Sequence, residues 1–482
     1  MAGLRRILPS GGLLTDLEDR VCYGYDASPA RGGVPAAVAL PEREEEAAAL
    51  LELASREGIP VIPRGAGTGL SGGSVPLEGS LVVALNRMNM IREIETQDLL
   101  AVVQPGVITG EFQAAVEKRS LFYPPDPSSL TACTLGGNAA ENAGGPRGLK
   151  YGVTGDYVLG LRAVLAGGTV LRAGGRTVKN VTGYDLRGLL VGSEGTLGII
   201  TELTLRLLPK PVARRTFLAV FPSLETSAEA VARIIEAGAV PAALELMDDY
   251  TIRCVEEHAR PGYPVEAGAV LLIELDGRPS EVAEEAGQVQ GLCRAAGALR
   301  VEEGGSPEDC ARLWAGRRAV GAAVARRKRV KISEDATVPR SRVPEMVRRL
   351  REIARRHGLE IAVFGHAGDG NLHPNILLDG DSRGELDRAE EAVGEIFTAA
   401  LELGGTLSGE HGIGLMKAPY LSMEVGEAGL EAMARIKKAL DPAGILNPGK
   451  AIGGQAVGPG SKPGSGPGPG PGRRGGKDPA DR

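Results

Sequence analysis

Five cysteines in 482 residues, at positions 22, 133, 254, 293 and 310, are too few and too scattered for a covalent framework. Their number is odd and no Cys-x-x-Cys pair occurs, which excludes a disulfide scaffold and an iron–sulfur ligand set and points to a reducing compartment. No apolar run approaches the ~20 residues needed to cross a bilayer. Pro9, Asp16 and Glu18 interrupt any apolar core in the first twenty residues, so no signal peptide is expected there. A cytoplasmic protein is the expectation. Excess charge is also scarce: a net −6 gives no reason to expect nucleic-acid binding. Histidine is rare too, with five in the whole chain. Glycine is the abundant residue, 70 in all, about twice the usual share. That suits loops that close tightly on a ligand.

The densest such loop is Pro63-Arg64-Gly65-Ala66-Gly67-Thr68-Gly69-Leu70-Ser71-Gly72-Gly73, between the apolar runs 59–62 and 81–85. Glycine lets successive amides turn inward and form an anion-binding concavity, with phosphate or pyrophosphate as its natural guest. A nucleotide-hydrolase loop would end in Gly-Lys-Ser/Thr, and no lysine is present. The Gly67-x-Gly69-x-x-Gly72 spacing matches the dinucleotide fingerprint, but that pattern must open a helix, and Val75-Pro76-Leu77-Glu78-Gly79 breaks one. A strand–loop–strand cradle is left, beside the plain alternative of a glycine loop with no ligand.

Length allows two or three domains. Glu44–Arg56 reads as a helix ending at Gly58, with acids in its first turn. Tyr123–Ser129 is too rich in proline to be anything but extended. Two further glycine loops follow, 134–145 and 192–198, the second leading into a strand at Ile199. Three glycine loops suggest one long ligand lying across them. Pro209-Lys210-Pro211 marks a boundary, after which strands alternate with helices as in an α+β domain with helices on one face of its sheet. The expected division is an N-terminal segment (1–34), a ligand-binding domain (35–211), a second α+β domain (212–420), a C-terminal helical segment (421–452), and a disordered Gly/Pro tail (453–482).

Three of the five histidines fall in two motifs, Gly365-His366-Ala367-Gly368-Asp369-Gly370-Asn371-Leu372-His373-Pro374-Asn375 and Ser408-Gly409-Glu410-His411-Gly412-Ile413-Gly414. Short strands flank the first, so it reads as a loop able to bring His366 and His373 to one point. Two imidazoles and a carboxylate make a His₂Glu metal site with an open position. Glu410 is a candidate third ligand and His411 a candidate base, against the plainer reading of hydrogen-bonded structural histidines. His258 and His357 lie in amphipathic helical segments and read as structural. Arg317 is the first choice to fork a substrate carboxylate, and Lys331 a second.

Five motifs together resemble the FAD domain of the vanillyl-alcohol-oxidase/p-cresol-methylhydroxylase superfamily. They are 63–69, Pro124-Pro125-Asp126-Pro127, Gly136-Gly137-Asn138, Lys179-Asn180-Val181-Thr182-Gly183-Tyr184-Asp185-Leu186 and Gly192-Ser193-Glu194-Gly195-Thr196-Leu197-Gly198. The two histidine motifs and Asn447-Pro448 narrow the resemblance to the glycolate oxidase flavin subunit and D-lactate dehydrogenase branch. It implies a two-subdomain FAD-binding domain of the p-cresol-methylhydroxylase type, a ferredoxin-like α+β cap with an antiparallel sheet, and a C-terminal segment returning to the first domain. It further implies FAD contacts from Arg64, Gly65, Ala66, Gly67, Thr68, Gly69 and Ser71, then Pro125, Asp126, Gly136, Gly137, Asn138, Asn142 and Gly144. Glu194, Gly195, Gly198, Ile199, Ile200 and Asn447 complete that set. By the same resemblance His366, His373 and Glu410 hold zinc, manganese or iron, His411 is the base, and Asn375 and Arg317 touch substrate. The implied reaction oxidises a 2-hydroxy acid, and electrons pass to an iron–sulfur partner subunit, with a second flavin subunit in some assemblies, at the membrane surface. The competing readings are an oxygen-using alcohol or aldonolactone oxidase and a non-catalytic FAD-binding subunit. FAD is expected to be non-covalent, because no histidine precedes His258 and Cys133 has no activating partner.

Overall fold

The computed structural model describes residues 1–380 and 382–452; the expected Gly/Pro tail lies outside the described residues. Three sheets organise the chain. In the first, the strands Ala37–Ala39, Leu81–Ala84 and Val61–Arg64 run parallel, with Leu13–Leu14 antiparallel at one edge. The helix Glu44–Glu57 packs on it. Three glutamates open this helix, Gly58 ends it at φ +64°, and Ala47, Leu50, Leu51 and Ala54 form one buried stripe. At the other edge Leu446 pairs with Val61, so residues near the C-terminus extend the sheet that carries the first glycine loop.

The second sheet is antiparallel, in the order Ile91–Glu95, Leu100–Val103, Ile199–Arg206, Val158–Val164 and Val170–Gly174. Residues 134–145 differ from the expected loop. Thr134 Oγ1 accepts the Gly137 N–H and caps a short helix, Leu135–Glu141. The helix uses glycine because a Cβ at Gly136 would stand 2.4 Å from Pro105. Close approach, not a flexible turn, accounts for that residue.

The third sheet has eight strands, all antiparallel, ordered Arg300–Glu303, Ala213–Phe221, Ala269–Gly277, Ala243–Asp248, Glu360–His366, Asn371–Leu378, Val330–Ser333, with Ala336–Thr337 also on Asn371–Leu378. The sequence suggested helices on one face; the structure covers both. Leu224–Glu236, Pro279–Ala295, Val343–His357 and Arg383–Glu402 pack on one side, Asp249–His258 and Pro307–Ala325 on the other. The reason is legible in Ala269–Gly277, where Leu271, Ile273 and Leu275 enter one core and Val270 and Leu272 the other. Each such side chain contributes about 1.5–3 kcal/mol on burial, so neither face stays open to water.

Candidate functional site

A cavity of about 730 Å³ opens where the three sheets meet. Its floor is the first glycine loop. There a Cβ on Gly65 would fall 2.4 Å from Thr134 Oγ1, and one on Gly67 (φ +72°) would fall 2.0 Å from the Arg64 guanidinium. Arg64 itself is buried and donates to the Tyr25 carbonyl at 2.8 Å, so it props the loop from beneath. Gly136, Gly137, Asn138 and Gly144 form one wall, and Glu194, Gly195, Gly198, Ile199 and Ile200 another. Volume and glycine lining fit an extended dinucleotide. Glu141 also lines the cavity; burial first, then Glu194 and Asp26, hold its carboxyl well above its ordinary pKa and toward the neutral form.

The opposite end of the cavity carries Arg317, Lys331, Phe364, His373, Glu410 and His411. His366 and His373 stand not on a loop but on the two strands of a hairpin, where Phe364 pairs with His373 and His366 with Asn371. The turn between them is only 367–370, so the rings meet edge to face, 5.0 Å apart. His366 Nε2 and His373 Nε2 lie 3.1 and 3.2 Å from Glu410 Oε1. Ligands 2.0 Å from a tetrahedral ion stand about 3.3 Å apart, so this donor set fits a zinc-sized cation. Burial opposes charge on His366, but Glu245 and Glu410 outweigh it and hold the imidazole well above its usual pKa; a bound cation would replace that proton. Glu410 is held well below the carboxylate range, where His366 and His373 overcome its burial. His411 stacks on His373 with centroids 4.9 Å apart, and burial takes its pKa down to about 4.

Residues 210–451 match the family described as FAD linked oxidases, C-terminal domain, and residues 35–174 match an FAD binding domain. The chain belongs to the FAD-linked oxidase family. It is 48% identical to the glycolate oxidase subunit GlcD of Bacillus subtilis over 89% of this chain and 92% of that one. To the D-lactate dehydrogenase of Archaeoglobus fulgidus it is 37% identical, over 89% and 95%. The fold is that of p-cresol methylhydroxylase, with a TM-score of 0.77, 17% identity, and 94% and 96% of the two chains covered. The antiparallel α+β architecture and the FAD-binding fold expected from the sequence are thus present.

Seven motif residues of this oxidase do not line the cavity, and each has other work. The Ser71 carbonyl accepts the N–H groups of Leu415 and Met416. The Pro125 carbonyl accepts from Gln113, and Asp126 accepts the Arg147 N–H. Asn142 accepts the Gly155 N–H, and Asn447 donates to the carbonyls of Gly73 and Glu194. Asn375, expected at the substrate, donates to the His373 carbonyl at 2.8 Å. His366 stands behind Glu410.

Two buried carboxylates were missed. Glu245 takes His366 Nδ1 at 2.8 Å and the Arg317 guanidinium at 2.6 Å. Asp335 accepts the main-chain N–H groups of Glu410 and His411. For Glu245 the available signal was an acid set among apolar residues, Ala243-Leu244-Glu245-Leu246-Met247. Glu194, at φ +51°, accepts the N–H groups of Ile413 and Gly414 and so ties the third glycine loop to the loop carrying His411.

Proposed function

We propose that this FAD-linked oxidase converts a small 2-hydroxy acid of the glycolate or D-lactate type to the 2-oxo acid. One observation carries the reading: His373, Glu410, His411 and Arg317 converge on the cavity that the glycine cradle floors. The names of the glycolate oxidase subunit and D-lactate dehydrogenase relatives support it. His366, His373 and Glu410 would hold a divalent ion, zinc, manganese or iron. When bound, that ion supplies Lewis acidity toward a hydroxyl and FAD supplies a two-electron acceptor.

The chain's own residues do the rest. Arg317, fixed by Glu245 and lying 5.3 Å from the Phe364 ring, presents a rigid cation to the substrate carboxylate. Lys331, whose pKa burial lowers, lines the same end and gives a second cationic contact. His411 is neutral near pH 7 and receives the hydroxyl proton. The cap excludes water from Cα as its hydrogen leaves with two electrons.

Those electrons then pass to a second protein. The chain has no Cys-x-x-Cys pair, and among the described residues no helix is long and apolar enough to cross a membrane. A relative named as a subunit supports an assembly, with an iron–sulfur protein as the fitting acceptor, a second flavin subunit as a further member, and a cytoplasmic, membrane-peripheral site. Anaerobic dye reduction across a panel of glycolate, D-lactate, L-lactate and 2-hydroxyglutarate tests the reading. Flavin bleaching by at least one member is expected, with slow reoxidation by oxygen. No bleaching by any 2-hydroxy acid overturns the function, and oxygen turnover as fast as the dye-driven rate overturns the partner.

A further inference from the structure

Asp335 lies behind the histidine cluster, fully buried between the strands Val330–Ser333 and Ala336–Thr337. Its Oδ2 accepts the main-chain N–H of Glu410, the N–H of His411 and the Ser408 hydroxyl, each at 2.9 Å, with Lys417 Nζ 3.4 Å away. Its Oδ1 makes none of these bonds and faces His373 Nδ1 at 3.9 Å, longer than a hydrogen bond as the two groups stand. A nitrogen of His411 stands within 4.8 Å of both the Asp335 carboxylate and His373. The two imidazoles are stacked within 10° of parallel, and both turn Nε2 toward Glu410 Oε1, at 3.2 and 3.7 Å. Both Nδ1 atoms therefore face away from Glu410; both are buried and have no hydrogen-bonding partner.

We propose that Asp335 is a positioning residue that sets the tautomer of His373 and His411 together. A neutral imidazole carries one N–H and one lone pair, and a carboxylate can only accept. With the proton on the His373 nitrogen that faces Asp335, Nδ1, and the same tautomer at His411, both Nε2 lone pairs are left to the cavity. At His373 that lone pair is what a cation needs; at His411 it is what a proton acceptor needs. Glu410 competes for the His373 proton from the other side, and a cation bound to Glu410 ends that competition. Through Oδ2 the same carboxylate also fixes the main chain of Glu410 and His411, so one side chain sets a ligand pair and a base. The roles of the two Nε2 atoms rest on the function proposed above; the tautomers do not.

The test is Asp335→Asn, whose amide oxygen can still accept from the 410 and 411 main chain but whose NH₂ cannot accept from imidazoles. Five histidines make ¹⁵N-histidine spectra of the zinc-loaded flavoprotein tractable. Wild type should show His411 as the Nδ1–H form. The variant should show a mixture at His411, unchanged His258 and His357 signals, retained flavin, and a 10–100-fold weaker hold on zinc in chelator competition. Wild-type zinc affinity together with an unchanged His411 tautomer overturns the proposal. If the variant loses flavin or melts early, the wild-type spectrum decides alone, and an Nε2–H form at His411 overturns it. A wild type that takes up no zinc refutes the metal reading, and the His411 tautomer of that protein still decides the role of Asp335.

Discussion

Replacing Glu245 by glutamine should destabilise the cap far more than its single missing charge suggests. Glu245 is fully buried and compensates two groups, the Arg317 guanidinium at 2.6 Å and the His366 imidazole at 2.8 Å. The histidine can shed its proton when the carboxylate is gone, but Arg317 cannot, and its side chain is only 4% exposed. Breaking a buried pair from one side typically costs about 3–5 kcal/mol, because the surviving charge stays out of water without a partner. Replacing both members by uncharged groups of similar volume is often nearly neutral. Glu245→Gln should therefore lose about 3–5 kcal/mol, and Glu245→Gln with Arg317→Met should recover most of it. The chain supplies its own probe: its single tryptophan, Trp314, lies on the same helix as Arg317 and packs on the same core. Urea unfolding followed by Trp314 fluorescence, as a double-mutant cycle on flavin-loaded protein, gives the coupling directly. A loss under about 1 kcal/mol for Glu245→Gln, or strictly additive losses, would refute the assignment of Glu245 as the counter-charge of Arg317.

Three other outcomes follow from the site. His373→Ala should abolish metal uptake and nearly all turnover while FAD stays bound, since the glycine cradle contains no histidine; His411→Ala should retain both and lose rate, and metal loss in His411→Ala, measured by elemental analysis, would mean that ligand and base are exchanged. Acid precipitation should leave the yellow flavin in the supernatant, because Cys133, a thiol lining the cavity, is buried and donates to Thr109 Oγ1, with no hydrogen bond to a basic group among the described residues. Glu334 is buried with Oε2 unpartnered, and burial raises its pKa from 4.5 to about 7. The fold therefore favours the neutral acid, and its contribution is present below pH 4.5 and lost as pH rises toward 7. Relative to Glu334→Gln, the wild type should lose about 3 kcal/mol of stability across that window, and parallel pH–stability curves for the two proteins would count against it.

Local chemistry made much of this molecule legible. The acid-rich start and Gly58 stop of the helix Glu44–Glu57 needed no tertiary information, and neither did the strand–loop–strand form of residues 61–84. The histidine motifs pointed to one cluster because imidazole is scarce in this chain. Geometry was harder to read. Residues 134–145 looked like a loop because helix propensity penalises Gly136 and Gly137, yet contact with Pro105 overrides that penalty. The second helical face of the large sheet was hidden for a related reason. An apolar run such as Val270–Leu275 declares that it is buried, without saying from how many sides.

The motif residues divide into two kinds that look alike in sequence. Gly65, Gly67, Glu194 and His411 line the cavity, while Asn447 and Asn375 hold the backbone of residues that do, and Ser71 and Asn142 hold the backbone of segments beside it. Both kinds sit in glycine-rich stretches, because a segment closing on a ligand must also be closed upon from behind. Asn447 makes the point. Its amide donates to Gly73 at 2.8 Å and Glu194 at 2.7 Å, joining the first glycine loop to the third from 374 and 253 residues further along the chain. Glu194 then passes the connection to Ile413 and Gly414, two and three residues beyond His411. The cradle and the loop carrying His411 are thus braced by one continuous set of hydrogen bonds. Loss of Asn447 should consequently disturb the position of His411 as well as the hold on flavin, although neither residue touches the other.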